Sequence, residues 1–204
     1  MYTPEYFKNT DIASVRDFIR KNGFGILVNT IEGRPFATHI PLELSQDESR
    51  LLGHVSKANI QWKHFEANNN VLAIFMGPHT YVSSSWYNHE NAPTWNYITV
   101  HVYGKIQVIE GEALRKSLKE LLDKYERHSA NPVSMEKMSP AFLKGSLNGL
   151  VGFEIEITEI QASYKLSQNR DDESYENIIL ELGKREDADS HKIAEAMRVN
   201  RKVK

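Results

Sequence analysis

The chain has 204 residues, with 25 Lys plus Arg against 27 Asp plus Glu, a formal net charge of −2, and no cysteine. That length suits a single domain with a proper hydrophobic core. The absence of cysteine excludes disulfides, thiolate metal sites, iron–sulfur clusters and a nucleophilic thiol. In chain order, Met1–Asn9 is polar and aromatic with no apolar h-region, and the longest strongly apolar run, Val71–Met76, is far shorter than a membrane span. A cytoplasmic protein with no membrane partner is expected.

Asp11–Asn22 reads as a helix: Ile12, Val15, Phe18 and Ile19 form one apolar stripe, Thr10 or Asp11 can cap its start, and Gly23 stands where helices commonly end. Phe24–Thr30 and Pro35–Leu44 read as strands around the turn Glu32-Gly33-Arg34, with Pro41 making the second an edge strand or bending it. Arg50–Val55 is a third strand and Ala58–Asn68 a helix. Val71–Phe75 is a short apolar strand, followed by the Gly77-Pro78 breaker and a further strand over Thr80–Ser83. Tyr97–Ile109 is the longest strand signal, with Ile98, Val100, Val102, Ile106 and Val108 facing one way. Gly111–His128 is amphipathic, carrying Leu114, Leu118, Leu121, Leu122 and Tyr125 on one side. The loop Ser129–Pro140 leads to a short helix over Ala141–Leu147. Val151–Thr158 alternates strictly, and the strand continues towards Lys165; Glu173–Leu182 and Asp187–Asn200 are the closing helices. Six or seven strands joined mostly by turns predict a mainly β fold, an antiparallel barrel with peripheral helices.

Six of the eight His and all three Trp lie between His39 and His101. At the predicted strand-to-helix junction, Ser56 and Lys57 set a hydroxyl and a cation beside free backbone N–H groups, which suits a phosphate monoester. The plainer reading is a Ser cap beside a solvated Lys. Trp86, Tyr87, Trp95 and Tyr97, with Asn96 and Thr99, suit either the wall of a flat aromatic ligand pocket or a rigid aromatic core at a barrel end or dimer interface. His39, His54 and His101 fall on strands without metal-ligand spacing, and read as hydrogen-bonding or pocket-lining groups; no metal is expected. No GxGxxG, P-loop or nucleophile elbow occurs. The stretch Lys165–Arg170 is either a polar capping loop or a cationic, amide-bearing lip on which Lys165 and Arg170 meet a phosphate or carboxylate.

Several motifs occur in one order: Met1-Tyr2-Thr3-Pro4, Ala37-Thr38-His39-Ile40-Pro41-Leu42, Gly53-His54-Val55-Ser56-Lys57-Ala58-Asn59 with Gln61-Trp62, and Phe75-Met76-Gly77-Pro78-His79-Thr80-Tyr81. Ser85-Trp86-Tyr87, Pro93-Thr94-Trp95-Asn96-Tyr97, Val100-His101-Val102-Tyr103-Gly104, Gly152-Phe153-Glu154-Ile155-Glu156-Ile157 and Lys165-Leu166-Ser167-Gln168-Asn169 follow them. With these motifs the chain resembles the PaiB family of flavin-binding split-barrel proteins over nearly its whole length. The resemblance implies an antiparallel split β-barrel of the FMN-binding type over residues 1–170, with peripheral α-helices. It also implies a C-terminal helical extension over residues 171–204, packed on the barrel or on a dimer partner. A homodimer with FMN at or near its interface belongs to the same expectation. In the related pyridoxamine phosphate oxidase group, the junction matching Ser56 and Lys57 holds the flavin phosphate. Asn59, Trp95, Asn96, His101, Lys165 and Gln168 match family motifs and are carried over as cofactor-binding. No catalytic residue is implied. Three positions depart from the family pattern: Ile60 and Ser84 stand where Pro is usual, and Ala162-Ser163 replaces a Gly-containing turn.

The resemblance further implies negative transcriptional regulation of protease and sporulation genes, with promoter DNA as a partner. No helix-turn-helix signature marks a direct contact, and Glu173–Gly183 is acidic, which opposes approach to the DNA backbone. The segment Lys192–Lys204 carries a net charge of +4 against −6 for the rest of the chain. It reads either as a solvated helix with a basic end or as a phosphate-contacting arm. Two other classes stay open. One is an FMN-dependent oxidoreductase of the pyridoxamine phosphate oxidase-like group, where the flavin carries the hydride chemistry. The other is a haem-binding split barrel with His39 or His101 as axial ligand.

Overall fold

The computed structural model describes residues 1–202. Its elements are α1 (Ile12–Lys21), β1 (Phe24–Ile31), β2 (Arg34–Leu44), β3 (Arg50–Ser56), β4 (Asn70–Val82), β5 (Thr94–Ile109), α2 (Gly111–Glu126), α3 (Pro140–Asn148), β6 (Leu150–Lys165), α4 (Asp172–Gly183) and α5 (Ala188–Lys202). Short 3-10 turns stand at Glu5–Phe7, Ile60–His64, Ser84–Trp86 and Met135–Lys137. The six strands are hydrogen-bonded in a closed ring of order β1-β2-β3-β6-β5-β4, the antiparallel split barrel with peripheral helices that the sequence leads one to expect. Among the described residues, no helix is long and apolar enough to cross a membrane.

Local chemistry explains the elements. Asp11 caps α1 by accepting from the N–H groups of Ala13 and Ser14 at 3.1 and 3.3 Å. The hairpin of β1 and β2 is in register from Phe24 opposite Pro41 to Ile31 opposite Arg34. Its turn holds Glu32 and Gly33 at φ of 51° and 78°, the two-residue geometry whose twist matches the flanking strands. Pro41 marks no sheet edge. β2 pairs with β1 up to Pro41 and with β3 from Leu42 onward, so the missing N–H falls where the strand passes between neighbours. Leu42 resumes the bonding by donating to the Gly23 carbonyl at 2.7 Å.

The expected break at Gly77-Pro78 does not occur either, and β4 is one strand of 13 residues. Proline tolerates extended backbone, and the bare Gly77 makes room for Phe18, whose Cε2 would lie 2.5 Å from an added Cβ.

The residues group into two compact units, one of Met1–Phe18, Phe75–His101 and the chain from Gln161 onward, the other of Ile19–Ile74 and Val102–Ile160. In the second unit, Leu27, Leu42, Leu51, Phe65, Ala73, Val102, Phe153 and Ile155 are buried, with the period of two that puts one strand face inward. Phe65 and Phe153 meet edge to face at 5.7 Å. The strands approach so closely at Gly104 that a Cβ there would lie 2.3 Å from the Glu156 carbonyl oxygen. The apolar stripe of α2 is only partly covered. Leu114 is buried, while Leu118, Leu121, Leu122 and Tyr125 open onto a groove shared with Phe142 and Leu147 of α3.

In the first unit, α4 and α5 pack on each other. Tyr175, Ile178 and Leu182 of the first helix and Ile193, Ala194 and Met197 of the second are all buried, at about 1.5–3 kcal/mol for each large apolar side chain. The Tyr175 hydroxyl donates to the Met197 carbonyl at 2.7 Å, and burial pushes its phenol up to about 12. Asp171 starts α4 by accepting from the Ser174 N–H at 2.9 Å, and Asp187 does the same for Ser190 at 2.8 Å.

Candidate functional site

The sequence-derived site residues fall in two clusters, one in each unit. In the second unit, β3 ends at Ser56 and the chain turns through Lys57 and Ala58 into the 3-10 turn capped by Asn59. The helix expected over residues 58–68 is thus only this five-residue turn, and its axis carries no useful dipole. It stops at His64 with Phe65 as its C-cap, and residues 65–69 turn into β4 at Asn70, short amide side chains at Asn68 and Asn69 favouring turn over helix. The junction amides are also engaged within the protein. Lys57 N–H donates to Gly149 O at 2.8 Å, Asn59 N–H to Ser56 O at 2.9 Å and Ala58 N–H to Ser56 Oγ at 3.3 Å. Anion recognition at this junction therefore belongs to side chains rather than to a helix terminus. Ser56 and Lys57 are exposed, the Ser56 hydroxyl proton stays available to donate, and Lys57 has no carboxylate partner among the described residues.

Asn59 builds the junction. Its Oδ1 accepts from Gln61 N–H and its Nδ2 donates to Thr38 Oγ1, both at 2.9 Å. Gln61 is fully buried and donates to Leu27 O at 3.2 Å and Asn29 Oδ1 at 3.1 Å, pinning the turn against β1. Trp62 Nε1 donates to Lys57 O at 3.1 Å and fixes the backbone that presents the ammonium.

In the first unit, the start of β5 meets the loop after β6. Asn96 is fully buried: its Nδ2 donates to Ser167 Oγ at 3.0 Å, and the same hydroxyl donates to Asn96 Oδ1 at 3.1 Å. Gln168 clamps its own loop, accepting from Leu166 N–H at 2.8 Å and donating to the Tyr164 carbonyl. Both amides therefore hold the loop in shape. Lys165 is presented by it, with Nζ bonded to Thr94 Oγ1 and lying 5.8 Å from the Phe7 ring centroid. Burial, and then the neighbouring Arg170 charge, lower the Lys165 pKa. Neither cation has a carboxylate partner among the described residues.

Trp95 is 54% exposed and ringed by His79 and Tyr81 at 6.2 and 6.1 Å. These two flanking rings are missing from the sequence-derived set. Their signal is the i, i+2 spacing on β4, which shows only once Gly77-Pro78 is accepted inside a strand. Trp86 and Tyr87 belong to a separate group, under Arg185 at 4.8 Å and Arg170 at 5.0 Å. His101 makes no hydrogen bond or ring contact with the others among the described residues. Its Nδ1 is buried without a hydrogen-bond partner, and burial lowers its pKa.

Each cluster, taken by itself, suits part of a flavin mononucleotide in kind. Two lysines without carboxylate partners suit a phosphate or a polarised carbonyl, the orphaned His101 Nδ1 suits a ring heteroatom, and Trp95 offers an exposed aromatic face. Among the described residues, no group of three His, Asp or Glu is placed to hold a metal.

The described cations of the basic C-terminal segment are engaged. Lys192 pairs with Asp189 at 3.9 Å, Arg198 with Glu195 at 3.3 Å, and Arg201 with Asp172. The rest of the expected arm, the side chain of Lys202 together with Val203 and Lys204, lies outside the described residues.

Comparison with known proteins adds three findings. Residues 1–159 match the family model described as "Putative FMN-binding domain". Over 199 residues, 97% of this chain and 96% of its relative, the chain is 46% identical to "Protease synthase and sporulation protein PAI 2" of Bacillus subtilis (strain 168). Two solved structures share the fold. The flavocytochrome Anf3 of Azotobacter vinelandii has a TM-score of 0.60 at 18% identity, covering 86% of this chain and 78% of that one. The FAD and heme binding protein of Mycobacterium smegmatis has a TM-score of 0.61 at 14% identity, covering 85% and 79%. At these identities the likeness is one of fold.

Proposed function

The chain belongs to the PaiB family, with the FMN-binding type of split barrel, and from that premise we propose that it binds FMN and acts as a negative regulator of protease and sporulation genes. The observation that carries the flavin part is the set of motif-residue groups left unneutralised or unmet: Lys57 and Lys165 have no carboxylate partner among the described residues, and the buried Nδ1 of His101 has no hydrogen-bond partner. The phosphate falls to Lys57 and Ser56, with Asn59 holding their turn. In the first unit, taken by itself, the face of Trp95 suits a flavin ring system, and Lys165 and His101 suit its heteroatoms. Asn96 and Gln168 serve as positioning residues, since their amides are committed to the loop that carries Lys165. When bound, the flavin supplies redox capacity that a chain without cysteine lacks.

The regulatory part rests on the 46% identity with the Bacillus protein and on that protein's name. A homodimer in the cytoplasm, contacting promoter DNA, completes the reading. Its test is a salt series of binding to a protease-gene promoter fragment and to random DNA of equal length, with and without FMN. The reading expects tighter binding to the promoter, with affinity falling as salt rises. Equal affinity for the two fragments would contradict it.

A further inference from the structure

We propose that the C-terminal helical part carries its own binding site for a small oxyanion, a carboxylate or a phosphate monoester. A cavity of about 330 Å³ lies between the loop after β6, the start of α4 and the end of α5, walled by Gln168, Arg170, Asp172, Tyr175, Asn200 and Arg201. That volume is within the range of small-molecule sites, roughly 300–1,000 Å³. The cavity lies beyond residue 159, where the FMN-binding family model ends.

Its charge is unbalanced. Two guanidinium groups face one carboxylate, and that carboxylate, Asp172, is taken by Arg201. Arg170 has no carboxylate partner among the described residues, and its Nε is buried without an acceptor. An arginine with an unmet N–H is poised for an oxyanion, because its planar fork matches the two oxygens of a carboxylate or phosphate.

Both arginines are also held in place. Arg170 lies 5.0 Å from the Tyr87 ring centroid and Arg201 4.3 Å from that of Tyr175, contacts that orient a guanidinium without using its donors. Tyr175 is itself fixed by its bond to Met197 O. The amide of Asn200 adds a neutral polar group to the wall, while that of Gln168 lines it with its hydrogen bonds already made to the loop. Gln168 also clamps the loop presenting Lys165, so occupancy of the cavity acts on that loop.

The test is calorimetric titration of the full chain with inorganic phosphate and, separately, with succinate, each with and without saturating FMN. The proposal expects saturable binding of at least one oxyanion that persists when FMN is saturating. It expects Arg170→Gln to weaken that binding at least tenfold. Asp172→Asn, an exposed change on the first turn of α4, frees Arg201 and should tighten binding several-fold even if the Arg170 variant fails to fold. Binding of neither probe, unchanged affinity in Arg170→Gln or Asp172→Asn, or loss of binding when FMN is present would each overturn it. The last outcome would place the anion in the flavin phosphate site instead.

Discussion

Asn96 and Ser167 bind each other twice, amide to hydroxyl at 3.0 Å and hydroxyl back to amide at 3.1 Å, with both side chains buried. Ser167 does this in the left-handed backbone region, at φ 59°, which costs a residue with a Cβ roughly 1–2 kcal/mol. The reciprocal pair is what holds the loop carrying Lys165 against the start of β5. Removing the hydroxyl leaves the buried Asn96 amide only the weak Met197 sulfur acceptor, at 3.6 Å, and costs about 1–3 kcal/mol. Ser167→Gly relieves the backbone cost and Ser167→Ala does not. The alanine variant is therefore expected to be less stable than the glycine variant by about 1 kcal/mol in urea unfolding. Equal midpoints would show that the φ at this position carries no strain.

Close approach and open space at two glycines give opposite outcomes. At Gly104 the obstacle to a Cβ is the Glu156 carbonyl, which cannot swing away like a side chain. Gly104→Ala is expected to cost about 1–3 kcal/mol or more. Gly145 lies in α3 with nothing within 4 Å of an added Cβ. Gly145→Ala is expected to stabilise by about 0.4–1 kcal/mol. Thermal melts of the two variants check the contrast, and a shift of the same sign in both would contradict it.

Much of this architecture was legible in the sequence because it rests on local periodicity. The alternation of Val151–Thr158, the apolar face of Tyr97–Ile109 and the Glu32-Gly33 turn all lead to the observed strands. What was not legible depends on partners distant in the chain. Pro41 reads as an edge residue until β2 is seen to change neighbours there. Gly77-Pro78 reads as a break until Phe18 is seen to fill the space beside it. The helix after Ser56 reads as longer than it is, because apolar spacing does not reveal that Gln61 anchors the turn to β1. In the candidate site, residue types pointed to Lys57 and Lys165. Spacing alone could not tell that Asn96 and Gln168 bond inward, or that His79 and Tyr81 flank Trp95.

Alkaline stability should report on the contact between α4 and α5. Tyr175 is raised to about 12 by burial, so the unfolded chain releases this proton first. The stabilisation is full below the ordinary tyrosine range, near pH 10, and falls as pH rises through the folded value. Tyr175→Phe is expected to lose about 0.5–1.5 kcal/mol at neutral pH with its bond to Met197 O, and to flatten the alkaline limb. An unchanged slope in that variant, in urea midpoints from about pH 9 to 11, would contradict the assignment.

Acid stability should report on the start of α4. The Ser174 N–H and hydroxyl hold Asp171 below the usual carboxylate range. A depressed carboxylate stabilises the fold above its unfolded pKa, and that contribution disappears as pH falls through the folded value. Asp171→Asn keeps a capping acceptor but does not titrate. Wild type is expected to exceed the variant in stability at neutral pH, with the gap closing below about pH 4. A gap independent of pH would remove Asp171 from the acid response.

The central claim, a flavin held at the junction after β3, is tested most directly by titrating purified protein with FMN and following flavin fluorescence, for wild type and for Lys57→Ala. Lys57 is exposed and has no carboxylate partner among the described residues, so its removal should leave the fold intact. Saturable binding in the micromolar range is predicted for wild type, weakened in the variant by about 1.5–3 kcal/mol, the worth of a charged hydrogen bond. No binding by wild type at micromolar FMN, or equal affinity in the two proteins, would contradict the account.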